Sequence, residues 1–349
     1  MSTRIGILGF AHGHVNAYCN QWRQNPDMGV RLIAGHDRDP ARLAEAAGTH
    51  QIEAVDDAAA LLARADIDAV VIAAETAFHA DLVEQAAAAG KAIILQKPMA
   101  LSMDEADRII AAVQRAGVPF TMAWQMRADP QNIEMKRLLD EGVIGRVFML
   151  RRRHGLSTHL WGEHFASSWH VDVSLNRGMW ADDAAHAADF LLWMLGEPVS
   201  VTAEIATLHN PRVPDDNGIA IYRYAAGTFA EIVSSFTCAA AENTTEIIGE
   251  GGCIIQNYGD GPSCNVPRPE GGIGLKWYSV DEGRWQTIPI PSPPDHGHRI
   301  TALAEPLAAF LHGQGPPIAT VAEGRAALKM TLAAYESARD GRRIDLTEL

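Results

Sequence analysis

Gly6-Ile7-Leu8-Gly9-Phe10-Ala11-His12 closes a short apolar run, residues 4–8, and opens a helical pattern over residues 12–24. Glycine lets a chain turn sharply from strand to helix because it has no Cβ to clash. Such a junction leaves the first amides of the helix free, and the helix dipole makes them attractive to an anion. Outward from this turn, apolar runs at 30–34, 68–73, 92–95 and 118–121 alternate with helical patterns. Pro40 after Asp39 suits a first helical position, where its missing N–H has no intrahelical partner. Residues 58–64 read as a short helix. Gly90 stands where a helix over 76–89 needs its C-terminal cap. Ser102, with Glu105 three residues on, predicts a capping box for a helix over 102–116. Continuous Val/Ile/Leu runs separated by helices mean a parallel sheet covered on both faces. Residues 1–123 are therefore expected to form an α/β domain, the Rossmann doubly wound parallel sheet that binds dinucleotides.

After Trp124 the texture changes. Helical stretches at 130–141 and 181–195 lie among strand-like runs at 146–153, 200–207, 218–224, 228–235, 244–248 and 253–256. Gly227 marks a hairpin between two of them. Strands that follow one another without intervening helices predict an antiparallel or mixed sheet. Residues 124–349 are thus expected to be an α+β domain with a large, mostly antiparallel sheet. Its uncovered face would carry an oligomer interface. Residues 259–274 and 289–297 read as Gly/Pro-rich loops, and helices over 299–312 and 321–339 close the chain.

With 349 residues, 47% hydrophobic and 21% charged, the chain can bury large cores. A net charge of −14 argues against nucleic acid, which needs clustered Lys and Arg. The basic run Arg151-Arg152-Arg153 fits a strand edge. Cys19, Cys238, Cys253 and Cys264 have no CxxC spacing, which suits a reduced, cytoplasmic protein. No apolar run approaches the ~18 residues of a membrane span.

Read from Gly9, a GxGxxG pattern calls for glycines at 11 and 14, where this chain has Ala11 and His14. The turn alone is a weak motif. Asp37, at the end of the second apolar run, adds to it: a carboxylate there accepts from the adenosine ribose hydroxyls and repels a 2′-phosphate. This favours NAD, with NADP left open by the neighbouring Arg38. His12 and His14 fall close to the expected pyrophosphate.

Lys97 ends the fourth strand and precedes Pro98, which restricts it to extended geometry at the carboxyl edge of the sheet. An ammonium there can stabilise a developing alkoxide; equally, it can be a surface lysine. The helix over 181–195 is more informative. On a 100° wheel Asp182, His186 and Asp189 share one stripe, and the remaining positions are almost all apolar. Asp182 and His186 at i and i+4 can pair, the carboxylate orienting an imidazole base. A buried structural Asp–His pair is the plain alternative.

These residues resemble the Gfo/Idh/MocA oxidoreductases over nearly the whole chain. The matching segments are Asp68-Ala-Val-Val-Ile-Ala-Ala with His79, Gln96-Lys97-Pro98, Glu141-Gly-Val-Ile-Gly-Arg, Gly178 to Asp189, Leu195-Gly196, and Tyr335-Glu-Ser-Ala with Gly341-Arg. The resemblance implies NAD(P)-dependent hydride transfer at a hydroxyl or carbonyl of a sugar, inositol or related polyol, by a homodimer or homotetramer. It implies a catalytic group of Lys97, Asp182 and His186. It also implies cofactor contacts from Gly9, Phe10, Ala11, His12, Asp37, Arg38, Ala74, His79, Gln96 and Lys97. Substrate contacts are expected from Arg127, Trp169, His170, Asp182 and His186. Three departures stand out: Gln96 replaces the family's glutamate, Glu75-Thr76 replaces Pro-Asn, and Ala11 and His14 alter the glycine turn. His154, His159, His164 and His170 have spacings that fit no zinc pattern. With the interleaved aromatics they read as a loop lining the substrate cleft, and no metal is expected. Two alternatives share the same residues: a glycosidase that uses bound NAD transiently, and a non-catalytic nucleotide-sensing protein.

Overall fold

The computed structural model describes residues 2–239, 243–257, 273–294 and 296–347. The Gly/Pro-rich loop expected over 259–274 lies almost wholly outside the described residues. The chain forms two compact units, one of Met1–Gln125 with Ile300–Arg325, the other of Met126–Arg299 with Ala326–Leu349.

The first unit holds a six-stranded parallel sheet of β1 (Thr3–Leu8), β2 (Val30–His36), β3 (Glu53–Ala54), β4 (Ala69–Ile72), β5 (Ala92–Leu95) and β6 (Phe120–Met122). Its order is β3-β2-β1-β4-β5-β6, so the winding reverses between β1 and β4. Side chains such as Ile5, Ile7, Val70, Ile72, Ile93 and Ile94 have no exposed surface. Burying each one contributes roughly 1.5–3 kcal/mol, and covering both sheet faces is what the unbroken apolar runs require.

The helices are α1 (His14–Gln24), α2 (Pro40–His50), α3 (Ala58–Leu62), α4 (His79–Ala88) and α5 (Met103–Ala116). Asp39 caps α2 through the amides of Ala41 and Arg42, with Pro40 in the first turn as expected. Ser102 accepts from Glu105 N–H at 3.3 Å, while the Glu105 carboxylate reaches back to Leu101 N–H at 2.8 Å, one residue beyond the usual capping box.

The return of Ile300–Arg325 to this unit has no counterpart in a single cut after residue 123. It is held by polar anchors that leave no trace in hydropathy. Trp22 Nε1 donates to Ala304 O at 2.8 Å, Met122 N–H to Ala319 O at 3.0 Å, and Ile318 N–H to Thr121 Oγ1 at 2.9 Å.

The second unit is built on a nine-stranded sheet. Its strands are β7 (Val147–Gly155), β8 (Ser200–Ala206), β9 (Asn217–Arg223), β10 (Phe229–Ser235), β11 (Thr244–Gly249), β12 (Gly252–Gln256), β13 (Leu275–Ser279), β14 (Arg284–Ile288) and β15 (Ile344–Asp345). The order is β14-β13-β12-β11-β7-β10-β9-β8-β15; β7 and β10 pair in parallel and the other described pairs are antiparallel. Gly227 turns the β9–β10 hairpin with φ +88°.

One face is covered by helices; the Arg152 guanidinium on β7, for instance, lies 4.4 Å from the Phe190 ring. The other face carries a cross-strand row, Phe229, Met149, Ile248, Cys253, Tyr278 and Trp285, in which Phe229, Met149 and Trp285 are exposed. Strands β13, β14 and β15 fall outside the expected strand-like runs. The first two mix Lys, Arg and Gln with aromatics, and their order comes from pairing at the sheet edge.

Candidate active site

In the first unit the β1–α1 turn is set by Gly9. Its φ is +88°, and a Cβ there would come within 2.4 Å of the Ala74 backbone. Only glycine fits such a close approach. His12 N–H closes the turn on Ala73 O at 2.9 Å. Gly13 then occupies the helix cap: among the described residues no side chain caps α1, its first turn has no acidic residue, and a Cβ on Gly13 would meet open space. An uncapped helix terminus without negative charge suits a pyrophosphate. Gly13 lies outside the GxGxxG register, which calls for glycines at positions 11 and 14.

Asp37 is buried at the end of β2 and its carboxylate is saturated. Oδ2 accepts from Phe10 N–H at 2.6 Å and Arg42 Nε at 2.8 Å; Oδ1 accepts from Asp39 N–H and Arg42 Nη2, each at 2.8 Å. A carboxylate offers about four acceptor sites, so all are taken within the protein. Burial pushes the Asp37 pKa up, but the bonds from Arg42, Asp39 and Phe10 outweigh it and hold the group below the usual carboxylate value. Arg42 Nη2 also reaches Glu75 Oε1 at 2.7 Å. The Arg38 guanidinium carbon lies over the Phe78 ring, 3.6 Å from its centroid. Gly9, Asp37, Arg38, Ala74, Glu75 and Phe78 all line one cavity of about 270 Å³, large enough to receive an adenosine.

Two further expected cofactor contacts are inside the protein. His79 is fully buried. Its Nε2 lies 3.1 Å from Ala74 O and its Nδ1 3.0 Å from Pro98 O, and burial holds its pKa below the usual imidazole value despite those carbonyls. Gln96, also fully buried, donates from Nε2 to Tyr18 Oη at 2.8 Å. An amide can make that bond as donor; a glutamate would need the tyrosine to donate. Lys97 is buried at the end of β5, with its amide 3.4 Å from Gln96 Oε1 and a cis bond to Pro98.

In the second unit the helix over Ala185–Leu195 is preceded by a π-helical turn, Trp180–Ala184. A wider turn rotates the residues before it relative to those after it, so a 100° wheel fails across the junction. The carboxylate facing both buried histidines is Asp183. Its Oδ2 lies 3.0 Å from His154 Nε2 on β7, and its Oδ1 lies 3.7 Å from His186 Nε2, too long for a hydrogen bond but within electrostatic reach. The two imidazole rings are 5.4 Å apart.

Asp182 faces His170, with Oδ2 3.3 Å from Nδ1, and His170 stacks on Trp169 at 4.0 Å. Asp189 pairs with Arg127, Nη2 to Oδ1 at 2.7 Å, so the guanidinium expected to meet substrate is met by a carboxylate of the same unit. Tyr335 Oη accepts from Ala181 N–H at 3.1 Å and donates to Asp215 Oδ2 at 2.9 Å, tying the last long helix to the π-turn. Of the four spaced histidines, His154 and His170 join these acidic contacts. His159 points to Phe236 O and meets His209 edge-on at 5.6 Å, and His164 is exposed. Among the described residues no group of three or more potential ligands could hold a metal ion.

A dinucleotide turn at the head of a doubly wound parallel sheet marks an oxidoreductase that transfers hydride with NAD. Residues 3–124 match the model of the oxidoreductase family with an NAD-binding Rossmann fold, and residues 133–255 match the GFO/IDH/MocA C-terminal domain. The chain belongs to the Gfo/Idh/MocA oxidoreductase family. It is 32% identical over 244 residues to an inositol 2-dehydrogenase of Rhizobium meliloti, covering 67% of this chain and 69% of that one. It is 27% identical over 368 residues to a D-apiose dehydrogenase of Paraburkholderia graminis, covering 99% and 89%. An oxidoreductase from Agrobacterium radiobacter, solved with NAD+, L-tartaric acid and magnesium, shares the fold with a TM-score of 0.81 at 23% identity, covering 100% and 99% of the two chains. No helix among the described residues is long and apolar enough to cross a membrane.

Proposed function

We propose that this enzyme oxidises a secondary hydroxyl of a cyclic polyol or sugar, or reduces the corresponding carbonyl. The observation that carries this reading is the His154–Asp183–His186 set, a buried carboxylate 3.0 Å from one imidazole and 3.7 Å from the other. Bound NAD supplies the hydride acceptor. The turn from Gly9 to Gly13 holds its pyrophosphate. His186, with Nε2 facing Asp183, takes the hydroxyl proton as general base. Asp183 stabilises the imidazolium as it forms, and His154 fixes the carboxylate. Lys97 is the further group the reaction needs, an ammonium able to stabilise an alkoxide. Asp182 orients His170, and the His170–Trp169 stack offers a flat face to a sugar ring.

The names of the two curated relatives, an inositol and an apiose dehydrogenase, support a polyhydroxylated ring as substrate. We further infer a cytoplasmic homo-oligomer, a dimer or tetramer, closed over the open face of the nine-stranded sheet. Phe229, Met149 and Trp285 give that face apolar surface. Beside them Arg151 sits between Glu231 at 3.4 Å and Glu246 at 3.3 Å, a row of mixed charge able to pair with a second copy of itself. Light scattering on the purified protein checks the assembly; a strict monomer at micromolar concentration contradicts it. The activity is tested by following NADH formation with inositols, pentoses, hexoses and sugar acids. Turnover on one of these is expected, and none on any polyol or sugar contradicts the reading.

A further inference from the structure

The saturation of Asp37 leaves open which group recognises the adenosine ribose. Asp37 has no acceptor site left while Arg42 is docked on it. Glu75 differs: it lines the same cavity and is nearly buried, and of its two oxygens Oε1 takes Arg42 while Oε2 has no protein partner among the described residues. Arg42 is held by two carboxylates at once, through Nε and Nη2. The lining of the cavity is acidic, with Asp37, Asp57, Glu75 and Asp81 against the single arginine Arg38, whose guanidinium lies over the Phe78 ring. A dianionic 2′-phosphate entering this space meets excess negative charge; a ribose hydroxyl meets an acceptor.

We infer that Glu75, rather than Asp37, is the cofactor-selecting carboxylate of this enzyme. It accepts from the adenosine ribose hydroxyl, and by locking Arg42 against Asp37 it keeps that guanidinium from a 2′-phosphate. The enzyme is accordingly selective for NAD over NADP. This rests on the cavity being the adenosine end of the cofactor site. NAD+ binding to the wild-type protein tests that assignment; the ratio of NADP+ to NAD+ affinity tests the role of Glu75.

The experiment is calorimetric titration of the full-length protein with NAD+ and NADP+. Glu75→Ala is expected to weaken NAD+ and tighten NADP+, lowering the NADP+ to NAD+ ratio of dissociation constants by about tenfold or more, the worth of one charge-assisted contact. Adding Arg42→Leu to that variant is expected to abolish the NADP+ gain, since the released guanidinium is what meets the phosphate. A parallel change for both cofactors, an unchanged ratio, or a gain that survives loss of Arg42 overturns the inference. Should the variants fail to fold, the wild-type protein alone decides. Charge repulsion is screened by salt, so the NADP+ to NAD+ ratio of dissociation constants must fall as ionic strength rises. A ratio that is flat or rises with salt overturns the inference.

Discussion

Asp183 Oδ2 lies 3.0 Å from His154 Nε2, joining the π-turn that begins the site helix to the end of the central strand β7. Both groups are buried. A carboxylate so placed acts on its neighbours through its charge, which water does little to screen.

Asp183→Asn keeps the shape and removes the charge. The expected result is a fall in kcat of about 10²-fold, with KM for the polyol changed much less, because the charge acts when the imidazolium forms. Steady-state kinetics on the variant, with circular dichroism to confirm the fold, checks this. A change confined to KM contradicts it.

The buried His79 gives a pH prediction. Burial lowers its pKa in the folded state, so below the unfolded value of about 6.5 the unfolded chain binds more protons. Stability from this group is therefore present above that pH and lost as pH falls below it. His79→Gln lacks the titration. Between pH 7 and 5 the stability gap separating wild type from variant is expected to shrink, as read by urea midpoints. A gap that widens on acidification contradicts the assignment.

Arg127 and Asp189 form a nearly buried pair, with side chains 5% and 0% exposed. Arg127→Met strands a buried carboxylate and is expected to cost about 3–5 kcal/mol. Adding Asp189→Leu is expected to recover most of that loss. Denaturant melts of the two variants decide, and a double variant no more stable than the single one would show that the pair is not the reason for the loss.

Tyr335 links Asp215 to the amide of Ala181. Tyr335→Phe leaves both without that oxygen and is expected to cost about 1–3 kcal/mol. It is also expected to lower kcat, because Ala181 lies in the turn that carries Asp182 and Asp183. A melt and a kinetic assay measure the two effects; full activity with lost stability confines Tyr335 to the fold.

Much of the fold was legible because its signals are local. The apolar runs of the first sheet, Pro40 behind Asp39, Ser102 before its helix and Gly227 in its hairpin all act through residues within a few positions. What escaped depends on distant partners. Strands β13 and β14 exist by pairing at an edge, and Ile300–Arg325 returns through hydrogen bonds to Trp22, Thr121 and Met122.

The site divides in the same way. The polar residues of this helix could be read from composition, yet which of Asp182 and Asp183 faces His154 and His186 turned on a single wide turn that no periodicity reveals. Asp37 was visible as a strand-end acid. Its saturation by Arg42, five residues on, was not, since nothing in Asp-Arg-Asp-Pro announces where that guanidinium folds back.

The proposal's central claim is that Lys97 and His186 are each needed for hydride transfer to NAD. The measurement that reaches it most directly is single-turnover NADH formation by Lys97→Ala and His186→Ala at saturating polyol, with NAD+ affinity determined in parallel. The account predicts that each variant binds NAD+ about as well as wild type and forms NADH about 10²-fold more slowly or worse. Near-normal rates in both variants would contradict it.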